Sequence, residues 1–170
     1  MLLQRQHVVN LEIIMTHTKS GSIFTEMILE TFRLNGALIE TGDKLINDLG
    51  LTSARWQILG SLVDGPITVA DIGRKMGLSR QNVQRIANRL KEDGFIETSP
   101  NPAHRRAKLY FLTDLGKESM KEITWRQEQW VNHMSEDMDL TDMKKALAMM
   151  IDCRKRVQSS LEGTENVNEK

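Results

Sequence analysis

The sequence has a single cysteine, Cys153, in 170 residues, so no disulfide can form within the chain. That favours a reducing compartment, and the expected location is the cytoplasm. Aromatic residues are only 5% of the chain while charged residues are 27%, a balance that suits a mostly helical protein. No apolar run reaches the roughly 18 residues of a membrane span, so no membrane role is expected. The opening MLLQRQHVVNLEIIMTHTKSGS does not resemble a signal peptide. Its apolar run is short, is broken by Asn10 and Glu12, and has no small-residue cleavage site. Met15 before THTKSGS resembles a natural start, so Met1 and Met15 are both candidate first residues. There is neither a Walker-type phosphate loop nor a GxGxxG. His7, His17, His104 and His133 do not fall at metal-ligand spacing with one another or with Cys153. No Ser-His-Asp arrangement suggests itself. The expectation is a non-enzyme without metal or cofactor.

What is present is concentrated in residues 65–112, GPITVADIGRKMGLSRQNVQRIANRLKEDGFIETSPNPAHRRAKLYFL. Thr68 can cap a helix over about 69–76, whose apolar positions Val69, Ile72 and Met76 lie three and four apart. Gly77 supplies the turn, and Ser79 caps a second helix that ends at Gly94. Val83, Ile86, Ala87 and Leu90 form the buried face of that helix. Its other face carries Gln81, Gln84, Arg85 and Asn88, with Arg80 and Asn82 at the N-terminal end. A solvated face is usually rich in Lys and Glu. Arg, Gln and Asn instead are the side chains that pair with base edges in the major groove. Phe95–Thr98 and Lys108–Leu112 pattern as two strands around a proline-stiffened loop whose tip holds Arg105 and Arg106. A basic hairpin directly after such a helix is a winged helix-turn-helix, and its tip can enter a narrow minor groove. Charge agrees. Residues 66–112 hold nine Lys/Arg against four Asp/Glu, a surplus of five, and the remainder of this neutral chain carries the opposite surplus.

The order ADIGRKMGLSRQNVQRIANRLKEDGFIE, then PNPAHRRAKLYFLTDLGKE, resembles the multiple antibiotic resistance regulator (MarR) family of bacterial transcription factors. The resemblance runs from about residue 24 to 160. It implies a homodimer on a pseudo-palindromic stretch of double-stranded DNA, usually a repressor whose affinity a small-molecule effector alters. Ser79, Arg80, Gln81, Asn82, Gln84 and Arg85 would then supply major-groove contacts and Arg105 and Arg106 the wing contact. Arg74 and Lys75 would hold the phosphate backbone. One departure stands out: the family's wing has Asp two residues before the minor-groove Arg, where this chain has His104. Family effectors bind between winged helix and dimer arm, near Trp56, for which ordinary core is the competing reading. Some relatives sense peroxide through a cysteine in the first long helix; Cys153 lies midway along the last, where a small interface residue is the simpler reading. A winged helix that binds protein rather than DNA is the alternative at the level of function.

Around this module the spacing predicts a flexible segment over 1–22 and a dimerisation arm from 23–50 and 113–161. The arm flanks a DNA-binding domain over 51–112, and a frayed tail covers 162–170. The first long helix, over 23–49, is weakened by Gly36 and Gly42. Trp56, Leu59 and Val63 are expected to face inward from the next. Thr113 caps a helix over 114–134 with Leu115, Met120, Ile123, Gln127 and Trp130 or Val131 on one face. Leu140, Met143, Leu147, Met150, Ile151, Val157 and Leu161 stripe the last, with Asp139 or Thr141 as its cap. These faces call for a second copy. The fold class is therefore mainly α with a small hairpin.

Overall fold

The computed structural model describes residues 17–104 and 106–165, with side chains up to residue 160. The candidate start residues Met1 and Met15, the wing residue Arg105 and the last five residues lie outside the described ones. In chain order the elements are α1 (Lys19–Ile46), a single 3-10 turn (Asn47–Leu49), α2 (Ser53–Ser61), β1 (Ile67–Thr68), α3 (Val69–Met76), α4 (Arg80–Glu92), β2 (Ile96–Pro100), β3 (Lys108–Leu112), α5 (Asp114–Met134) and α6 (Leu140–Glu165). The chain divides into two compact units, one ending at Gly116 and one beginning at Lys117.

In the first unit, local chemistry sets the helix ends. Thr68 and Asp71 form a capping box at the start of α3: the Asp71 amide donates to the Thr68 hydroxyl, and the Thr68 amide donates to the Asp71 carboxylate. Gly77 follows at φ 67°, a left-handed position that costs glycine little. The Leu78 amide donates back to the Gly73 carbonyl at 2.9 Å, closing a Schellman turn. Gly73 is also where the turn passes closest, since a Cβ there would lie 2.8 Å from the Leu78 carbonyl oxygen. Ser79 caps α4 by accepting from the Asn82 amide. At the other end Gly94, at φ 80°, repeats the Schellman turn, with the Phe95 amide donating to Leu90 and the Gly94 amide to Lys91.

Ile72, Val83, Ala87 and Leu90 are fully buried between α3 and α4, with Ile58 and Leu59 from α2 and Ile96 from β2. The three strands are antiparallel in the order β1-β3-β2. Tyr110 pairs with Ile67 on one side and Thr98 on the other. Arg55 ties the start of α2 to the end of α4. Its guanidinium donates to the Gly50 carbonyl at 2.8 Å, pairs with Asp93 at 2.5 Å and lies 5.3 Å from the centre of the Phe95 ring.

Three expectations are corrected. Val63 is 58% exposed, and Ile58 and Leu62 are the buried partners of Leu59. Helix α2 ends at Ser61, and a tight last turn carries Val63 outward. Leu115 is 52% exposed, because α5 buries the face of Gly116, Met120 and Ile123, and Leu115 lies one residue off it. The strand expected from Phe95 starts at Ile96, since Phe95 closes the turn after α4.

In the second unit, Met120 and Ile123 are buried, whereas Gln127 is exposed and Trp130 and Val131 are half-buried. Asp139 caps α6 by accepting from the Thr141 and Asp142 amides. Along α6 nearly every apolar side chain is open, including Leu147, Met149, Met150 and Val157, while Cys153 is half-buried. In the first unit the N-terminal two thirds of α1 is similar, with Ile23, Leu29, Phe32 and Leu38 exposed.

Candidate nucleic-acid interface

The amphipathic pattern of α4 turns Val83, Ile86, Ala87 and Leu90 into the core, so Arg80, Gln81, Arg85 and Asn88 face solvent and Gln84 is half-buried. Arg85 donates to the Asn82 side-chain oxygen at 2.9 Å, which braces both against the first turn of the helix. From the other side the β2–β3 wing folds over. Within its tip the Ala103 amide donates to the Asn101 side chain, and two backbone turns follow, His104 to Asn101 and Ala107 to His104.

Between α4 and the wing lies a groove of about 400 Å³. Arg80, Gln84, Asn88 and Lys91 line it from α4, and Arg106, Lys108 and Tyr110 from the wing. Four cations and no carboxylate stand on its walls. The side chains of Arg80, Arg106 and Lys108 have no hydrogen-bond or ion-pair partner among the described residues, and that of Lys91 has only the Thr98 hydroxyl, at 3.4 Å. Uncompensated like charges held around one concavity favour an anion of matching shape. The Gln, Asn and Arg heads of α4 are of the kind that hydrogen-bonds to the edges of bases.

The groove thus gathers Arg80, Gln84, Asn88 and Arg106 of the residues singled out in sequence. Ser79, Gln81, Asn82 and Arg85 lie beside it on the first turns of α4. Arg74 and Lys75 do not line it. Arg74 pairs with Asp71 and Lys75 with Asp64, so both are partly neutralised on α3. Thr68 donates to the Asp71 carboxyl through its hydroxyl and its amide, and with Arg74 these hold that carboxyl below the usual Asp value. His104 gives the wing only backbone hydrogen bonds, and no side chain among the described residues braces Arg106. Trp56 is half-buried and packs beside Gly42 of α1. Lys91, Thr98, Lys108 and Tyr110 were missed as site residues. For Lys91 a signal existed, because it continues the Gln84–Asn88 stripe by one more turn.

A model of the MarR family matches residues 49–107, the stretch from the 3-10 turn before α2 to the wing loop before β3. An uncharacterized protein of Mycobacterium tuberculosis is 35% identical over 113 residues, 66% of this chain and 79% of that protein. The chain belongs to the MarR family. Among named relatives, the transcriptional activatory protein BadR of Rhodopseudomonas palustris is 28% identical over 95 residues, 54% of each protein. In fold, the chain is similar to the transcriptional regulator SlyA, with a TM-score of 0.73 at 20% identity over 80% of this chain and 96% of that one. The MarR family is one of transcription regulators rather than enzymes. No described helix of this member is long and apolar enough to cross a membrane.

Proposed function

We propose that this MarR-family protein is a sequence-specific, double-stranded DNA-binding regulator that works as a homodimer and represses by occupying its operator. The observation that carries this reading is the groove between α4 and the wing, walled by Arg80, Lys91, Arg106 and Lys108 without an opposing acid. In the reading, α4 enters a major groove with Arg80, Gln81, Gln84 and Arg85 toward base edges, and Ser79 and Asn82 at its N-terminal end. Arg106 reaches the adjacent minor groove, and the remaining cations contact phosphate. Arg74 and Lys75 contribute less than their charge suggests, because Asp71 and Asp64 already hold them. The dimer is supported by the open apolar side chains of α6, and independently by those of α1, each of which a second copy would cover. A small-molecule effector would act by favouring one separation of the two recognition helices over another.

The test is fluorescence anisotropy of the full chain against its own promoter region and a scrambled duplex, across a salt series. The reading expects a clear preference for the promoter and a log–log salt slope of about −0.9 for each phosphate neutralised. Weak and equal binding to both duplexes would remove it. The sign of regulation is a separate measurement, and the BadR name makes it a pointed one. A promoter fusion should rise on deletion of the gene if the protein represses, and fall if it activates.

A further inference from the structure

Gln84 does not stand free on α4. Its side-chain nitrogen donates to the Asn88 side-chain oxygen at 2.8 Å and to the Tyr110 hydroxyl at 2.9 Å. A carboxamide nitrogen carries two protons, so both are engaged. Its Oε1 has no partner among the described residues, yet the one buried unpaired side-chain atom there is the Arg55 Nε. Gln84 Oε1 is therefore not sealed from solvent, and Gln84 lines the groove. Tyr110 can impose this because it cannot wander. It is 6% exposed, in the middle strand of the sheet, with backbone pairing on both sides.

A free glutamine reads adenine by donating and accepting together. Gln84, as held, can only accept. In the major groove the donors are the exocyclic amines of adenine and cytosine, whereas guanine O6 and thymine O4 would meet Oε1 lone pair to lone pair. We propose that Tyr110 is a specificity-determining positioning residue: with Asn88 it fixes the Gln84 amide as an acceptor. One position in each half-site would then require adenine or cytosine on the strand Gln84 faces. The inference rests on the DNA-reading function proposed above.

The experiment selects bound duplexes from a randomised library with the full chain, then measures anisotropy on four duplexes that differ only at the position Gln84 reads. The wild type should bind adenine and cytosine about tenfold tighter than guanine and thymine, the scale of one hydrogen bond made against one buried group left unpaired. Tyr110→Phe should keep the rest of the motif and lose most of this preference, because the released amide can turn and donate. Gln84→Glu added to Tyr110→Phe should restore the preference at lower overall affinity, since a carboxylate can only accept. Asn88→Ala releases the amide from the exposed side and should also loosen the preference, which keeps the test open if the Tyr110 variant melts early. A Tyr110→Phe loss equal on all four duplexes, or an unchanged preference in both variants, would overturn the proposal. A wild type that selects no motif would instead remove the DNA reading beneath it.

Discussion

Helices α4 and α6 are both amphipathic in sequence, and they end in opposite situations. Every apolar residue on the inner face of α4 is buried within one chain, with a cap at one end and a Schellman turn at the other. On α6 the apolar stripe from Leu140 to Val157 is largely open. The winged helix is thus a complete object in one copy. Helix α6 is not, and its exposed Leu, Met and Ile side chains form the kind of patch that marks an association surface. Under the proposed function, reading DNA and holding two readers together are separable tasks, placed on different parts of the sequence.

That separation can be broken from either side. Leu90→Ala, at a fully buried core position of the winged helix, should cost about 2–5 kcal/mol of stability in urea unfolding. Its sedimentation as a dimer should survive wherever the protein remains folded. Leu147→Asp, on the open face of α6, should do the reverse. It should weaken self-association by about 2–4 kcal/mol, read as a shift toward the single-chain mass in sedimentation, with little change in circular dichroism. A Leu147 variant that stays dimeric would remove α6 from the interface. Arg85→Ala should cost roughly 1–3 kcal/mol on the operator and far less on the scrambled duplex. Equal losses would mean that Arg85 touches only phosphate.

The smallest expected effect is at Thr68, where the capping box couples α3 to pH. Thr68→Ala should cost about 1 kcal/mol at neutral pH. Part of that loss is pH-dependent, because Thr68 holds the Asp71 carboxyl below its ordinary 3.8. Ionised Asp71 stabilises the fold above that value, and the contribution fades as pH falls through the lowered folded value. The gap between wild type and variant in urea titrations should therefore narrow below about pH 4. A gap that stays constant would leave the cap without an ionic part.

How much of this was legible in the sequence follows the distance over which each feature is decided. The caps at Thr68, Ser79 and Thr113 and the inner face of α4 depend on residues three or four apart, and they read directly. Strand β1 is two residues long and exists only by pairing with β3 some 40 positions on, so no local pattern announces it. The lock on Gln84 joins residues separated by 26 positions, and nothing in either segment alone predicts it. Gly42 illustrates a different limit. In sequence it reads as a weak point in a long helix. In the fold it admits Ser53, whose hydroxyl donates to the Ile39 carbonyl at 2.9 Å and would lie 2.5 Å from a Cβ at position 42. Propensity describes a helix in isolation, while that glycine answers to the helix packed against it.

The most direct test of the account is to insert about five base pairs, half a helical turn, between the half-sites of the selected operator and measure anisotropy again. Two winged helices held by one dimer should lose their second major groove, and affinity should fall close to that of the scrambled duplex. An insertion that leaves affinity unchanged would contradict the account, because each winged helix would then be reading DNA on its own.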